Sequence, residues 1–162
     1  GADNTPVPTG EVGKIYVENE QAMSGYLRDD DANDEVFIEE MVTVDDLGYL
    51  DEEHYLYLAG RARDMVISGG VNIYPVEIEN VLVDHDGVAD VAVVGVPDEE
   101  WGERLIAVVV PTADDFDKDA LEQFARDQLT SYKVPRQWEV VDELPRNPTG
   151  KILKRQLEER YG

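Results

Sequence analysis

Cysteine is absent from the 162 residues, which excludes a disulfide scaffold, thiolate metal sites and a cysteine nucleophile together. Histidine is nearly so: His54 and His85 are the only two, too few for a histidine-rich metal centre. No apolar run approaches the roughly 20 residues of a membrane span, and no signal-peptide pattern is present. The opening GADNTPVPTG reads as the interior of a protein rather than a natural start. Positive charge is scarce as well. There are 14 Lys and Arg, five of them Lys, against 37 Asp and Glu, for a formal net charge of −23. A soluble, cytoplasmic protein with no membrane span and no nucleic-acid partner is the expectation.

What is present argues for a folded chain. A hydrophobic content of 42%, with clear periodicity, separates the sequence from acidic disordered segments. A globule of this length buries roughly 70% of its unfolded surface and needs no covalent staple. Self-repulsion at this charge density destabilises a compact state in dilute salt, and the penalty fades as the Debye length shrinks to about 3 Å at molar salt. A salt-loaded, halophilic setting is therefore expected. The charge is also uneven. Residues 133–162 hold seven basic side chains against five acidic ones, a net of +2, so residues 1–132 carry −25. An anionic ligand near the C-terminal segment accounts for this, as does a basic helix end complementing its own dipole and local acids.

Residues 1–60 read as short strands and turns. A strand is expected at Lys14–Val17, and GYLDEEHYLYLAG gives two strands around a turn, with Tyr55 and Tyr57 on one face and Leu56 and Leu58 on the other. Such a set is too small to close a core by itself. After Gly60 the pattern changes. RARDMVISGGVNIYP predicts a hairpin turning at Ser68-Gly69-Gly70, and Pro75 opens a helix carrying Val76, Ile78, Val81 and Leu82 at roughly helical spacing. VADVAVVGVP and RLIAVVVP are strands joined by the acidic loop around Asp98–Trp101. Residues 117–130 form an amphipathic helix with Leu121, Phe124, Ala125 and Leu129 on one face. QWEVVDEL is a further strand, and Ile152–Arg160 a terminal helix. The predicted fold is α+β, with helices segregated on a small sheet. The boundary falls at Arg61–Asp64.

Four places could carry chemistry. Lys151 follows the turn NPTG and precedes a helix, a position suited to a phosphate or carboxylate, though taken alone it is more often that of an ordinary solvated lysine. It is not a phosphate-binding P-loop: Ile152 follows where Ser or Thr is required, and no glycine stands five residues before Gly150. Gly69 and Gly70 permit close approach of a thin ligand, and a hairpin turn alone also accounts for them. Tyr132 beside Lys133 and Arg136 could stack on a purine and hold phosphates, or form an ordinary surface cluster. Asp46 and Arg61 could accept from and donate to a ribose diol, or form a salt bridge.

Taken together, these sites resemble the C-terminal part of the adenylate-forming (AMP-binding) superfamily of acyl-CoA synthetases, peptide adenylation domains and luciferases. The resemblance runs through PTGEVGKIYVENEQAMSGYL, TVDDLGYLDEEHYLYLAGRARDMVISGGVNIYPVEIE and LPRNPTGKILKRQL in that order. The acid and arginine lie fifteen residues apart and the lysine ninety beyond the arginine. SGGVNIYPVEIE and LPRNPTGKILKRQL are most similar to acid–CoA ligases.

The resemblance implies a two-step reaction: ATP and a carboxylate give an acyl-adenylate and pyrophosphate, and CoA then displaces AMP to form a thioester. Residues 1–60 would be the β-rich edge of a large adenylating domain, 61–64 the hinge, and 65–162 a mobile domain presenting different faces in the two steps. By the same resemblance Lys151 is catalytic, Asp46 and Arg61 bind the AMP ribose, and Arg63 is the hinge, where relatives commonly have Asp or Lys. Gly69 and Gly70 line the pantetheine path, and Tyr132, Lys133 and Arg136 lie where some relatives hold the CoA nucleotide. Asp45 stands where relatives usually have glycine. Mg2+ accompanies ATP, with ligands outside this chain. The phosphate loop, adenine site and acyl pocket would lie in a missing N-terminal large domain, so the chain alone is expected to be inactive or nearly so. The alternatives are an adenylation domain that loads a carrier protein, and a noncatalytic module that binds CoA or nucleotide or complements a separate large subunit.

Overall fold

Glycines, prolines and acids punctuate the first sixty residues every few positions, which leaves room only for short strands. A computed structural model describes residues 5–18, Gly25, Leu27, Asp29, Asn33 and 36–162, and divides into two units, Gly1–Arg63 and Asp64–Gly162. Residues 19–24 and Tyr26 of the motif PTGEVGKIYVENEQAMSGYL lie outside the described residues.

In the first unit, β1 (Gly13–Lys14), β4 (Asp46–Leu50) and β5 (Leu56–Arg61) form an antiparallel sheet in the order β1-β4-β5. A second pair joins β2 (Phe37–Ile38) to β3 (Met41–Val42). The strand expected at Lys14–Val17 is shorter than anticipated: regular pairing covers Gly13–Lys14, and Val17 adds only an isolated bridge to Val42. Tyr49 and Tyr57 are cross-strand partners whose rings stack at 5.2 Å. Tyr55, Leu56, Tyr57 and Leu58 are all exposed.

The second unit begins with the single-turn Ala62–Asp64 behind it and runs through β6 (Val66–Ser68), β7 (Val71–Ile73), α1 (Pro75–Leu82), β8 (Val88–Asp98), β9 (Gly102–Pro111), α2 (Lys118–Gln128), β10 (Gln137–Val140) and α3 (Lys154–Tyr161). β9 is the hub of a five-stranded sheet: it pairs antiparallel with β8, parallel with β10, and meets β6 at Gly102. β8 and β9 are apolar at almost every position because both faces of the sheet are covered. On one face Val91, Val93, Leu105, Ala107 and Val109 pack against Ile78 and Leu82 of α1 and Leu121 and Ala125 of α2. On the other, Ala92, Val94, Val96, Ile106 and Val108 pack against Leu144 and Leu157, the latter on α3. The helices therefore divide between the two faces of the sheet. Each fully buried Val, Leu or Ile contributes about 1.5–3 kcal/mol of transfer free energy.

The helix starts have local causes. Pro75 occupies the first turn of α1, where no N–H partner is needed. Asp117 caps α2 by accepting from the N–H groups of Asp119 and Ala120. The terminal helix starts at Lys154, two residues later than expected. Ile152 is held extended by a bridge to Arg146, and the Leu153 N–H donates to the Pro145 carbonyl, while the Ile152 side chain packs on the second core face. Among the described residues no helix is long and apolar enough to cross a membrane.

Candidate functional site

Asp46 opens β4 and Arg61 closes β5, and their antiparallel register makes them direct partners. Arg61 Nε lies 3.4 Å from Asp46 Oδ1, with both side chains about one-third exposed. The preceding residue, Asp45, has φ +65°, in the left-handed region where glycine is usual and aspartate is among the better tolerated alternatives. The strain is offset locally. The Asp45 N–H donates to Thr43 Oγ1 at 3.1 Å, its carbonyl accepts from the Ala62 N–H at 2.8 Å, and its carboxylate pairs with Lys14 at 2.7 Å. The turn thus holds without glycine.

Gly69 and Gly70 form the two-residue turn between β6 and β7, with φ +58° and +79°, as a primed type I hairpin turn requires. They differ in surroundings. A Cβ on Gly69 would lie 2.9 Å from the Trp101 ring, whereas one on Gly70 would meet nothing within 4 Å. The Gly69 N–H also donates to the Trp101 carbonyl at 2.8 Å. On its ring Trp101 carries the Arg136 guanidinium, 4.3 Å from the centroid. The geometry therefore links Gly69 to Arg136 through the indole of the acidic loop Asp98–Trp101. That loop is built on Asp98, whose carboxylate accepts from the N–H groups of Glu100 and Trp101, each at 3.0 Å. The Trp101 N–H foremost holds the Asp98 carboxyl below its ordinary range, with Glu100, Arg104 and Arg136 adding to the effect against a partial desolvation.

The neighbouring basic residues are differently engaged. Lys133 donates to both carboxylate oxygens of Glu77 at 2.6 and 2.7 Å, an ion pair the sequence had not signalled. Its ammonium lies 5.8 Å from the centroid of the Tyr132 ring, which is half exposed. An anion taken up by Lys133 would compete with Glu77.

Lys151 is exposed and closes a tight loop, Asn147–Lys151. The Asn147 side-chain carbonyl accepts three hydrogen bonds, from Thr149 N–H at 3.0 Å, Thr149 Oγ1 at 2.8 Å and Lys151 N–H at 2.9 Å. Main-chain bonds add Asn147 N–H to Lys151 O and Gly150 N–H to Asn147 O, both 2.9 Å, and Gly150 turns the chain at φ +85°. Arg146 straps this loop to the sheet, donating to the Gly150 carbonyl and to Asp90 on β8. Three residues on, Lys154 pairs with Glu79 of α1 at 2.7 Å, both side chains being more than four-fifths buried. Lys154 Nζ lacks hydrogen-bond geometry there, so the attraction is that of a charge pair. Glu79 also accepts from the Val93 N–H on the outer edge of β8, at 2.7 Å. A signal for Asn147 existed in the sequence, since Asn before Pro-x-Gly is a strong turn former; none existed for Glu77, Glu79 or Asp90, whose partners lie far along the chain.

Asp46 and Arg61 belong to the first unit, and the glycines, Tyr132, Lys133, Arg136 and Lys151 to the second. The family of AMP-binding enzyme C-terminal domains matches residues 77–151. The uncharacterized acyl–CoA ligase YhfT of Bacillus subtilis is 42% identical over 93% of this chain and 30% of its own length. The fatty acid–[acyl-carrier-protein] ligase ScoC of Streptomyces coeruleorubidus is 41% identical over 96% and 30%. Among solved structures, the o-succinylbenzoate CoA synthetase of Bacillus subtilis in complex with its acyl-adenylate intermediate superposes with a TM-score of 0.87 and 38% identity, over 94% of this chain and 31% of that one. The chain thus spans about a third of the length of these relatives. By fold, motif order and identity, it belongs to the adenylate-forming superfamily and corresponds to that family's C-terminal region.

Proposed function

We propose that this chain is the C-terminal region of an ATP-dependent acid–CoA ligase, acting on fatty or related carboxylic acids. The observation that carries the reading is Lys151: an exposed ammonium on a loop whose main chain is fixed on both sides by hydrogen bonds. In the first half-reaction a carboxylate oxygen attacks the α-phosphorus of ATP and pyrophosphate leaves. Lys151 neutralises the charge that builds up as two anions approach, while Asp46 and Arg61 hold the ribose. In the second, the CoA thiol attacks the acyl carbon and AMP leaves. Gly69 and Gly70 then keep the approach clear of side chains, and Tyr132, Lys133 and Arg136 receive the nucleotide end of CoA. Arg63, at the junction of the two units, is the pivot between steps. Mg2+ enters with ATP, held by groups outside this chain.

ATP–pyrophosphate exchange over a panel of acetate, octanoate, benzoate and ferulate tests the reading, on the chain alone and on the full-length protein. Exchange is expected only in the latter. Lys151→Ala should remove about 3–4 kcal/mol of transition-state stabilisation from adenylation and far less from thioester formation with preformed adenylate; equal losses in both would reject the role. Similarity to ScoC favours a second reading, in which the thiol belongs to a carrier protein, and replacing CoA by carrier protein in the second half-reaction separates the two. A noncatalytic module would bind nucleotide or CoA without exchange. We place the protein in a salt-loaded cytoplasm on its net charge of −23. Its melting temperature should rise from dilute to molar KCl, and an unchanged value would remove the halophilic reading.

A further inference from the structure

We propose that Asn147 is a positioning residue, which fixes the direction of Lys151 by gathering the loop Asn147–Lys151 around its side-chain carbonyl. The inference rests on the ligase reading for its consequence and on geometry alone for its cause. A lysine stem has four rotatable bonds, so only its base can be aimed by the fold. Here both main-chain groups of Lys151 are occupied by one residue: its N–H donates to Asn147 Oδ1 and its carbonyl accepts from Asn147 N–H, each at 2.9 Å. The same oxygen also takes both donors of Thr149. Three bonds converge on one side-chain oxygen of a partly buried residue, and their donors all belong to Thr149 and Lys151.

The loop is then referred to the sheet. Arg146 donates to the Gly150 carbonyl and to Asp90 on β8, and the Arg146–Ile152 bridge closes the neck of the loop. Lys151 is thereby held to the β8 edge through its immediate neighbours and makes no demand on the core. The released donors of Thr149 and Lys151 are exposed and would be taken up by water, so removing the Asn147 side chain should disturb the aim of Lys151 far more than the stability of the domain. A displacement of about 1 Å in a charge-stabilising group can cost about a hundredfold in rate.

The test uses Asn147→Ala and Asn147→Asp, the latter keeping an oxygen acceptor in place. In the 162-residue chain, amide hydrogen exchange should speed up about tenfold or more at Lys151 and Thr149 in Asn147→Ala, with the slow core amides of β8 and β9 and the melting temperature unchanged. Asn147→Asp should restore slow exchange. Unaltered exchange in Asn147→Ala would overturn the proposal whatever the enzyme does. In the full-length protein, Asn147→Ala should lower kcat of ATP–pyrophosphate exchange by about 10- to 100-fold, leave thioester formation from preformed adenylate within about twofold, and recover in Asn147→Asp. Full exchange activity in Asn147→Ala beside an inactive Lys151→Ala would overturn the positioning role and leave the ligase reading standing. Full activity in both variants would overturn the ligase reading, with the exchange data still deciding whether Asn147 orders the loop.

Discussion

Among the described residues, every buried apolar side chain except Val42 and Leu47 belongs to Asp64–Gly162, while Val44, Tyr55, Leu56, Tyr57 and Leu58 of the first unit are exposed. The second unit closes a core on both faces of its sheet; the described residues of the first form strands of two to six residues, with Val42 and Leu47 as their buried apolar side chains. A two- or three-stranded piece without a covered face is marginal in water. The contrast separates a self-sufficient carrier of Lys151 and the glycine hairpin from a thin support for the Asp46–Arg61 pair.

The comparison breaks most sharply if the units are cut apart. Residues 64–162 alone should unfold in one cooperative, reversible transition, and residues 1–63 alone should show none, by circular dichroism and calorimetry. A cooperative transition in the short piece would show that its exposed strands hide a core of their own. Within the intact chain, Ile78→Ala should cost about 2–5 kcal/mol, since Ile78 is 0% exposed and its loss leaves a cavity. Leu58→Ala, at 66% exposed, should stay within about 0.5 kcal/mol. Urea titration of the two variants measures both numbers, and similar costs would erase the distinction.

The adjacent glycines sharpen it on a smaller scale. Gly70→Ala should cost about 1 kcal/mol, the penalty of a side chain at positive φ in open space. Gly69→Ala should cost more, about 2–3 kcal/mol, because its Cβ also displaces Trp101. Trp101 fluorescence should shift in Gly69→Ala only; equal costs and spectra would mean that the indole yields freely.

How much of this was legible depends on the range of the interactions. The doubly apolar runs of β8 and β9, the Gly-Gly turn and the Pro75 helix start are local patterns, and the chain follows them. The spacing of Asp46, Arg61 and Lys151 was legible through resemblance. Pairing was not. Lys133 meets Glu77 and Arg146 meets Asp90 across 56 residues, and exposed acids are so abundant here that no one of them stands out as a partner. Trp101 was equally hidden, because an aromatic ring in the loop PDEEWGER gives no sign of which backbone it will lie against. The late start of α3 has the same origin: Ile152 satisfies helical spacing, but its packing on the second core face and its bridge to Arg146 hold it extended.

The smallest effect concerns the acids of the compact unit itself. Partial burial raises the Glu158 carboxyl above its ordinary value, Asp64 and Glu103 add repulsion, and Lys154 and Arg155 oppose them. A carboxyl whose folded pKa is raised keeps its proton in the folded state after the unfolded chain has released it. Its favourable contribution is therefore complete below the ordinary glutamate range and is lost as pH rises through the folded pKa. At neutral pH the ionised group is a liability, and Glu158→Gln should raise stability. Because Glu158 is half-buried, solvent and salt screen the repulsion, and the gain should stay below about 1 kcal/mol. Melting curves of the variant and the parent should differ at pH 7 and converge as the pH falls towards 4, with a smaller gap in molar KCl. A variant less stable than the parent at pH 7, or a gap that widens on acidification, would mean that Lys154 and Arg155 outweigh the burial and that Glu158 serves as their counter-charge.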